Sequence, residues 1–223
     1  MTWLVIERSG VKLSKPYYQT AKRAFDITIC ILVAPFFIPL VFLIALLIRL
    51  ESSGPIFFVQ ERIGKGNKPF KMVKFRTMYH SIGRESHRTY MKAFINGKLY
   101  IPDQNKLFKP FQDHQVTKIG RMLRKTSLDE LPQLINVLRG EMSLVGPRPN
   151  VLWEVEEYQG WHQERLEVLP GITGLAQVRG RSGISFDEIV NYDIEYLEKR
   201  SLWFDLKILW WTVVLVAVGK GAQ

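Results

Sequence analysis

The chain has 223 residues, a formal charge of +10, a pI near 9.7 and 47% hydrophobic residues. That length suits one domain of ordinary size, with or without an appendage, and the apolar fraction excludes wholesale disorder. The basic excess points to polyanions (nucleic acid, phosphate esters or anionic lipid headgroups), and the single cysteine, Cys30, excludes an internal disulfide and reads as a small buried hydrophobe.

Residues 1–20 read as a polar, basic surface arm. Residues 21–50 read as a membrane element. From Ile27 to Ile48, ITICILVAPFFIPLVFLIALLI, 22 residues carry no charge, and about 20 apolar residues cross a bilayer as a helix. The late start, the long apolar run and the missing small-x-small pattern argue against a secretory signal. Pro35 and Pro39 each remove a backbone donor, which predicts a broken helix. Arg8, Lys12, Lys15, Lys22 and Arg23 precede the run, and Arg49, Arg62, Lys65 and Lys68 follow it. Basic flanks stay on the cytoplasmic side. Two readings stand: a re-entrant helix with both ends on one face, and a Pro-kinked single span.

Residues 51–223 form the expected cytoplasmic domain. IFFVQ and FKMVKF predict two strands joined by a GKGN turn. SHRTYMKAFIN predicts a short helix, and GKLYIPDQNKLFKPFQD a loop. A helical stretch over LPQLINVLR has Gly140 as its C-terminal cap, and EMSLVGPRP reads as a short strand entering a rigid turn. VLWEVEEYQGWHQERLEVL, 151–169, reads as one helix with solvent-facing acids. PGITGLAQVRGRSGIS is too glycine-rich for one element, and FDEIVNYDIEYLEKRS has helical spacing. From Ile208 to Val218 the chain has 11 uncharged residues, too few to span. Trp203, Lys207, Trp210 and Trp211 fit an interfacial helix, with a buried core helix as the other reading.

The segment RMLRKTSLDELPQLINVLRGEMSLVGPRP, 121–149, concentrates the chemistry. Ser127 and Glu130 fit a capping box, but Pro132 fits a first turn better if Asp129 is the cap. A carboxylate at a helix start beside Arg121, Arg124 and Lys125 is expected to be ionised, with a lowered pKa, at a site that also attracts phosphate. An ionised carboxylate next to a bound phosphate is what covalent phosphoryl transfer requires. Asp129 and Glu130, neighbours on a helix, cannot share one task, so one could attack while the other holds a hard cation such as Mg2+. In GPRP, Pro147 and Pro149 fix the backbone around Arg148; it is either a phosphate fork or a solvated turn residue. KFRTM sets Lys74 and Arg76 on one strand face, and GLAQVRGR adds Gln177, Arg179 and Arg181. There is no zinc-type Cys/His spacing, no P-loop and no GxGxxG. The four histidines read as surface residues, and Asp193-Ile-Glu195 as a solvated near miss to a metal triplet.

GPIFFVQERIGKGNKPFKMVKFRTM, the 121–149 segment and PGITGLAQVRGR, in this order, resemble the bacterial sugar transferase family, the monotopic polyprenyl-phosphate phosphoglycosyl transferases. The resemblance covers about Lys22 to Trp211. It implies transfer of a sugar-1-phosphate from a nucleoside diphosphate sugar, expected to be a UDP-sugar, to undecaprenyl phosphate, with release of UMP. This would be the first membrane step of exopolysaccharide, capsule, O-antigen or glycoprotein glycan assembly. Asp129 would be the nucleophile of a covalent phospho-sugar intermediate and Glu130 the magnesium ligand. Lys74, Arg124 and Arg148, with Arg76, Gln177 and Arg181, form the expected substrate-binding set. The family's re-entrant helix breaks at a Ser-Pro. Ile38-Pro39 holds that place here, with Pro35 as a second break residue and without the serine. The implied fold is helix-rich α+β: a Pro-broken re-entrant helix, a small cytoplasmic domain with short strands, and amphipathic interfacial helices, in minimal catalytic form at the cytoplasmic face of the inner membrane. Expected partners are the UDP-sugar, undecaprenyl phosphate and membrane lipids, with downstream glycosyltransferases and a second copy of the chain as candidates, and no nucleic acid.

Overall fold

A computed structural model describes residues 16–79, 85–97, 115–180 and 184–218. The described residues form a helix-rich α+β fold with two small two-stranded sheets. Arg181, most of the N-terminal arm and nearly all of the 97–113 loop lie outside the described residues.

Helix α1 (Pro16–Glu51) has 36 residues, about 54 Å at 1.5 Å per residue. It starts before the expected residue 21 and continues through Pro35 and Pro39, so the expected break is not an interruption of the helix. Each proline forfeits one bond, to the carbonyl four residues back, and the intact turns on either side carry the helix past the gap. It is long and apolar enough to cross a membrane, and only 11% of its most apolar stretch is buried within the protein.

Both ends of α1 are docked on the rest of the chain. Near its start, Asp26 accepts from Ser143 Oγ at 2.7 Å. Lys22 bridges Asp26 at 3.0 Å and the buried Asp205 at 3.3 Å. Arg23 donates to the carbonyls of Val137 and Leu138, in the last turn of the helix that ends at Arg139. Near its other end Ile44 and Ile48 pack with Phe75 and Leu123. Between these anchors Ile31, Leu32, Phe36, Ile38, Phe42 and Leu43 are exposed.

Strands β1 (Phe57–Ile63) and β2 (Pro69–Phe75) pair antiparallel, with Phe58 opposite Lys74. The turn between them places Gly66 and Asn67 at φ 65 and φ 60, as the GKGN signal requires. Helix α2 (Glu85–Ile95) follows. Helix α3 (Lys118–Lys125) leads into a 3-10 segment (Leu128–Gln133) and then α4 (Leu134–Arg139), which ends at Gly140 with φ 79. Strand β3 (Ser143–Val145) pairs parallel with β4 (Gly171–Thr173).

Residues 151–169 are not one helix. Only α5 (Leu152–Val155) is α-helical, and Gly160–Glu167 is a 3-10 segment. The reason is local chemistry. Glu154, expected in solvent, is buried and accepts from Asn150 Nδ2 and Val151 N. His162, expected at the surface, is fully buried, with Nδ1 accepting from Gln159 N and Nε2 facing Asp187 at 3.1 Å. Burial holds its pKa below the usual value, against the pull of Asp187. These buried polar partners divert the chain from a continuous helix.

Helix α6 (Leu175–Arg179), α7 (Phe186–Lys199) and α8 (Leu202–Ala217) complete the fold. Asp193 and Glu195 on α7 are ion-pair residues. Asp193 is buried against Arg165 at 2.6 Å, and Glu195 binds Arg179 and Lys199. Helix α8 buries Asp205 and Ile208, yet leaves Trp203 and Trp210 each 66% exposed, which excludes a fully buried core helix. The main core joins Cys30 of α1 to Met72, Val137, Val145, Leu197 and Ile208.

Candidate active site

Lys74, near the end of β2, faces the 3-10 segment that carries Asp129 and Glu130. The position of β2 is set by Asn136 of α4. Its Oδ1 accepts from Val73 N at 3.1 Å, and its Nδ2 donates to Lys71 O at 2.8 Å and Glu141 Oε2 at 2.7 Å. Asn136 is fully buried. It thus occupies both backbone groups flanking Met72 and fixes the register of Lys74 against the segment. Nothing in the linear pattern distinguishes this asparagine from any other polar residue in a helix.

The chain enters the 3-10 segment through Ser127, a non-glycine residue in the left-handed region with φ 55. Its side chain caps nothing, so the expected capping box is absent. Asp129 is not a cap either; it lies inside the first turn. With 3.0 residues per turn, the two acids diverge by about 120°. Asp129 turns inward and is 9% exposed. Among the described residues its carboxyl makes no hydrogen bond or ion pair. Glu130 points at the cations: its Oε1 lies 2.5 Å from Lys74 Nζ and 3.3 Å from Arg148 Nη1.

This arrangement separates the two carboxyls electrostatically. Burial is the largest influence on Asp129 and pushes it above the ordinary carboxylate range. Lys74 opposes that shift and Glu130 adds to it. The expectation of a lowered Asp129 pKa is therefore overturned: burial outweighs the nearby cations. Burial acts on Glu130 in the same direction, but the charges and hydrogen bonds of Lys74 and Arg148 outweigh it and hold Glu130 below its usual value. The cluster thus holds one committed anion and, beside it, a desolvated carboxyl with no partner of its own.

Arg148 is displayed from a turn whose carbonyls are all occupied. Pro147 O accepts from Gly171 N at 2.9 Å, and Asn150 O from Ile63 N at 2.8 Å. Arg148 O accepts from Arg165 Nη2 at 3.2 Å, and Pro149 O from Arg62 Nη1 at 3.1 Å. The Arg148 side chain is 49% exposed, so it can meet an incoming ligand while touching Glu130. Arg62 and Arg165, missed in the sequence as isolated basic residues, are the struts of this turn. Arg62, Met72, Lys74, Gln133, Arg148 and Pro149 line a narrow cleft beside the acids.

The remaining sequence candidates sort differently. Arg124 on α3 acts on Asp129 electrostatically, and its Nε donates to Thr77 Oγ1 at 2.9 Å. Arg76 is not at the cleft. It is buried, with hydrogen bonds of 2.8 Å to Ser52 O, Ser52 Oγ and Ser53 O, because β2 ends at Phe75 and the alternation linking Lys74 to Arg76 lapses there. Gln177 bonds within its own neighbourhood, Nε2 to Ile172 O at 3.1 Å. Among the described residues no group of three or more His, Cys, Asp or Glu could hold a metal ion. A cation such as Mg2+ can take a single protein carboxylate and complete its shell with phosphate and water; the carboxylate placed for that is Glu130, of which Oε1 is engaged by Lys74 and Arg148.

The profile of a family described as bacterial sugar transferase matches residues 17–219. Galactosyl transferase CpsE of Streptococcus agalactiae is 40% identical over 96% of this chain and 46% of its own length. Exopolysaccharide production protein ExoY of Sinorhizobium fredii is 38% identical over 93% of this chain and 90% of its own. UDP-glucose:undecaprenyl-phosphate glucose-1-phosphate transferase of Caulobacter vibrioides is 41% identical over 95% of this chain and 75% of its own. The chain therefore spans about half the length of CpsE and most of the length of ExoY.

The geometry at Ser127 makes a direct prediction. Glycine accepts φ 55 without a Cβ penalty, so Ser127→Gly is expected to keep or raise the thermal unfolding temperature. Ser127→Val should lower it, because a β-branched side chain is disfavoured in this region beyond the Cβ penalty that serine already bears. A clear loss of stability in Ser127→Gly would restore the side-chain cap that the sequence suggests.

Proposed function

Because the chain belongs to the bacterial sugar transferase family, we propose that it moves a sugar-1-phosphate from a UDP-sugar to undecaprenyl phosphate, releasing UMP. Membrane polysaccharide or glycan assembly would begin with this step. The names of relatives, which include undecaprenyl-phosphate sugar-phosphate transferases, support the substrate classes. The observation that carries the reading is the division of labour between the acids: Glu130 pinned by Lys74 and Arg148, Asp129 buried and unpaired beside them.

In this reading an Asp129 carboxylate oxygen attacks the phosphorus that bears the sugar. The phosphoanhydride bond breaks and UMP leaves. An oxygen of undecaprenyl phosphate then attacks the same phosphorus and frees Asp129. Desolvation sharpens Asp129 as a nucleophile, because a more basic carboxylate attacks more readily once ionised. Lys74, Arg124 and Arg148 receive the diphosphate charge in a site partly shielded from water. Glu130, with Asp129 adjacent, would hold Mg2+, which supplies Lewis-acid neutralisation of the developing phosphate charge.

The docking of α1 supports a re-entrant placement. Asp26 bonds to Ser143 and Glu51 bonds to α3, so both ends of the apolar stretch are held by one small domain. Along an unbent α1, Asp26 and Glu51 would stand about 38 Å apart at 1.5 Å per residue, enough to cross a bilayer. The re-entrant placement therefore rests on the one domain that holds both ends, and asks α1 to bend at Pro35 and Pro39 within the membrane. With basic flanks on both sides, the domain and both ends belong to the cytoplasmic face. The exposed belt of α1 and the exposed tryptophans of α8 then meet lipid.

A nucleotide sugar labelled in the sugar should leave label on the wild-type protein before acceptor is added, and Asp129→Asn should abolish both label and turnover. Normal UMP release by Asp129→Asn would sink the covalent reading. The raised Asp129 pKa also sets the pH dependence. The active form is the carboxylate, so activity falls as pH drops through that raised pKa. The acid limb of kcat/KM should lie above the ordinary value of about 4. Lys74→Gln removes a charge that lowers this pKa and should move the limb further up; a limb left in place would separate Lys74 from Asp129. For topology, cysteines replacing Lys12 and Lys68 in a Cys30→Ser background should both be labelled only from the cytoplasmic side. Labelling of position 12 from outside would establish the single span instead.

A further inference from the structure

The two ends of α1 are held differently. Near the first, Lys22, Arg23 and Asp26 bind side chains and carbonyls of the domain; at the second, beyond the packing of Ile44 and Ile48, a carboxylate binds the start of the helix that carries Arg124. Glu51, the last residue of α1, accepts from Lys118 N at 2.6 Å and from Ile119 N at 2.9 Å. These are the first two amides of α3, and Gly120 N donates to Thr117 Oγ1 at 2.9 Å. Three otherwise unpaired donors at this helix start are thereby satisfied, two of them by a residue 67 and 68 positions away in sequence.

Just beyond Glu51 the chain is clamped by the buried Arg76 through Ser52 and Ser53. The next residue, Thr77, ties this clamp to α3 on both of its groups. Its carbonyl accepts from Thr117 N at 3.1 Å, and its hydroxyl accepts from Arg124 Nε at 2.9 Å. Gly120 lies so close that a Cβ there would be 2.1 Å from Thr77 O. No side chain fits between the 76–77 backbone and α3. The end of α1, the end of β2 and the start of α3 form one knot, and Arg124 leaves it one turn of helix past Gly120.

We propose that Glu51 is a positioning residue of the transfer site: it fixes α3 against the end of the membrane helix and so places the Arg124 guanidinium opposite Asp129. Seating of α1 in the bilayer and assembly of the phosphate-binding site are then one mechanical event. Arg76 serves the same knot from the other side. The inference rests on the transfer reading for the role of Arg124, but the contacts it uses are independent of that reading.

The test is a double-mutant cycle on the full chain in lipid nanodiscs, with UDP-sugar and undecaprenyl phosphate supplied and UMP release measured. Glu51→Ala should lower kcat about ten- to hundredfold, the range expected when a remote change misplaces a reacting group. Arg124→Gln should lower it at least as much. If Glu51 acts through Arg124, the double variant should be no worse than about twofold below Arg124→Gln, since residues that act as a unit are not additive. Glu51→Gln keeps one accepting oxygen and should recover part of the loss. Multiplicative losses in the double variant, or wild-type kcat in Glu51→Ala, would overturn the proposal. Wild-type turnover in Arg124→Gln would overturn it too, while leaving Asp129 chemistry standing. Amide hydrogen exchange reads the link without turnover. Glu51→Ala should speed exchange across residues 118–124, and unchanged exchange there would overturn the proposal even if the transfer reading itself failed.

Discussion

The contact between Lys74 and Glu130, 2.5 Å long with each side chain 13% exposed, is the constraint around which the site is arranged. Taking two charges this far out of water costs several kcal/mol per ion, and mutual attraction repays that only with good geometry and further hydrogen bonds. Arg148 supplies one further bond, also to Oε1. A pair of this kind is a weak source of stability. Its value is specificity of placement: a strand residue and a 3-10 residue must meet at one point or both are stranded. Everything that sets the separation of β2 and the 3-10 segment is tied to that requirement, Asn136 above all.

The same logic explains why so many buried cations serve backbone carbonyls. Arg62, Arg165 and Arg76 each donate to carbonyls of turns that no regular element satisfies. A buried carbonyl left unpaired costs free energy comparable to a lost hydrogen bond. Guanidinium forks solve this for the irregular 147–150 turn and for the chain after α1. They in turn need counter-ions, which is why Asp193 and Glu154 lie inside the protein. The basic excess of the chain is thus only partly a device for meeting phosphate; much of it is internal scaffolding.

The membrane helix belongs to this scaffold. Lys22, Asp26 and Arg23 at one end, and Ile44, Ile48 and Glu51 at the other, are shared with β3, α4, α8 and α3. An appended anchor would leave the domain's core complete without it. Here Cys30 and Ile48 are core residues, so the core closes only when α1 is in place.

What the sequence determined by itself is what depends on neighbours in the chain. The GKGN turn, the two strands around it, α2, the Gly140 cap and the uncharged run of α1 follow from residue type and period, because backbone sterics and periodicity act over a few residues. The family resemblance singled out Asp129, Glu130, Lys74 and Arg148, and the fold brings those four together. Tertiary structure decided the rest. Lys74 and Arg76 share a predicted face, yet one meets Glu130 and the other the end of α1, because the strand stops between them. Asp129 looks like a cap in a basic field, but its pKa rises because burial is a property of the packed molecule and not of neighbouring letters. Asp193, His162 and Glu154 read as surface groups until Arg165, Asp187 and Arg62 arrive from elsewhere in the fold to pair with them. Long-range pairing of polar groups leaves no periodic trace in a sequence, since any polar residue can be buried once its partner is supplied.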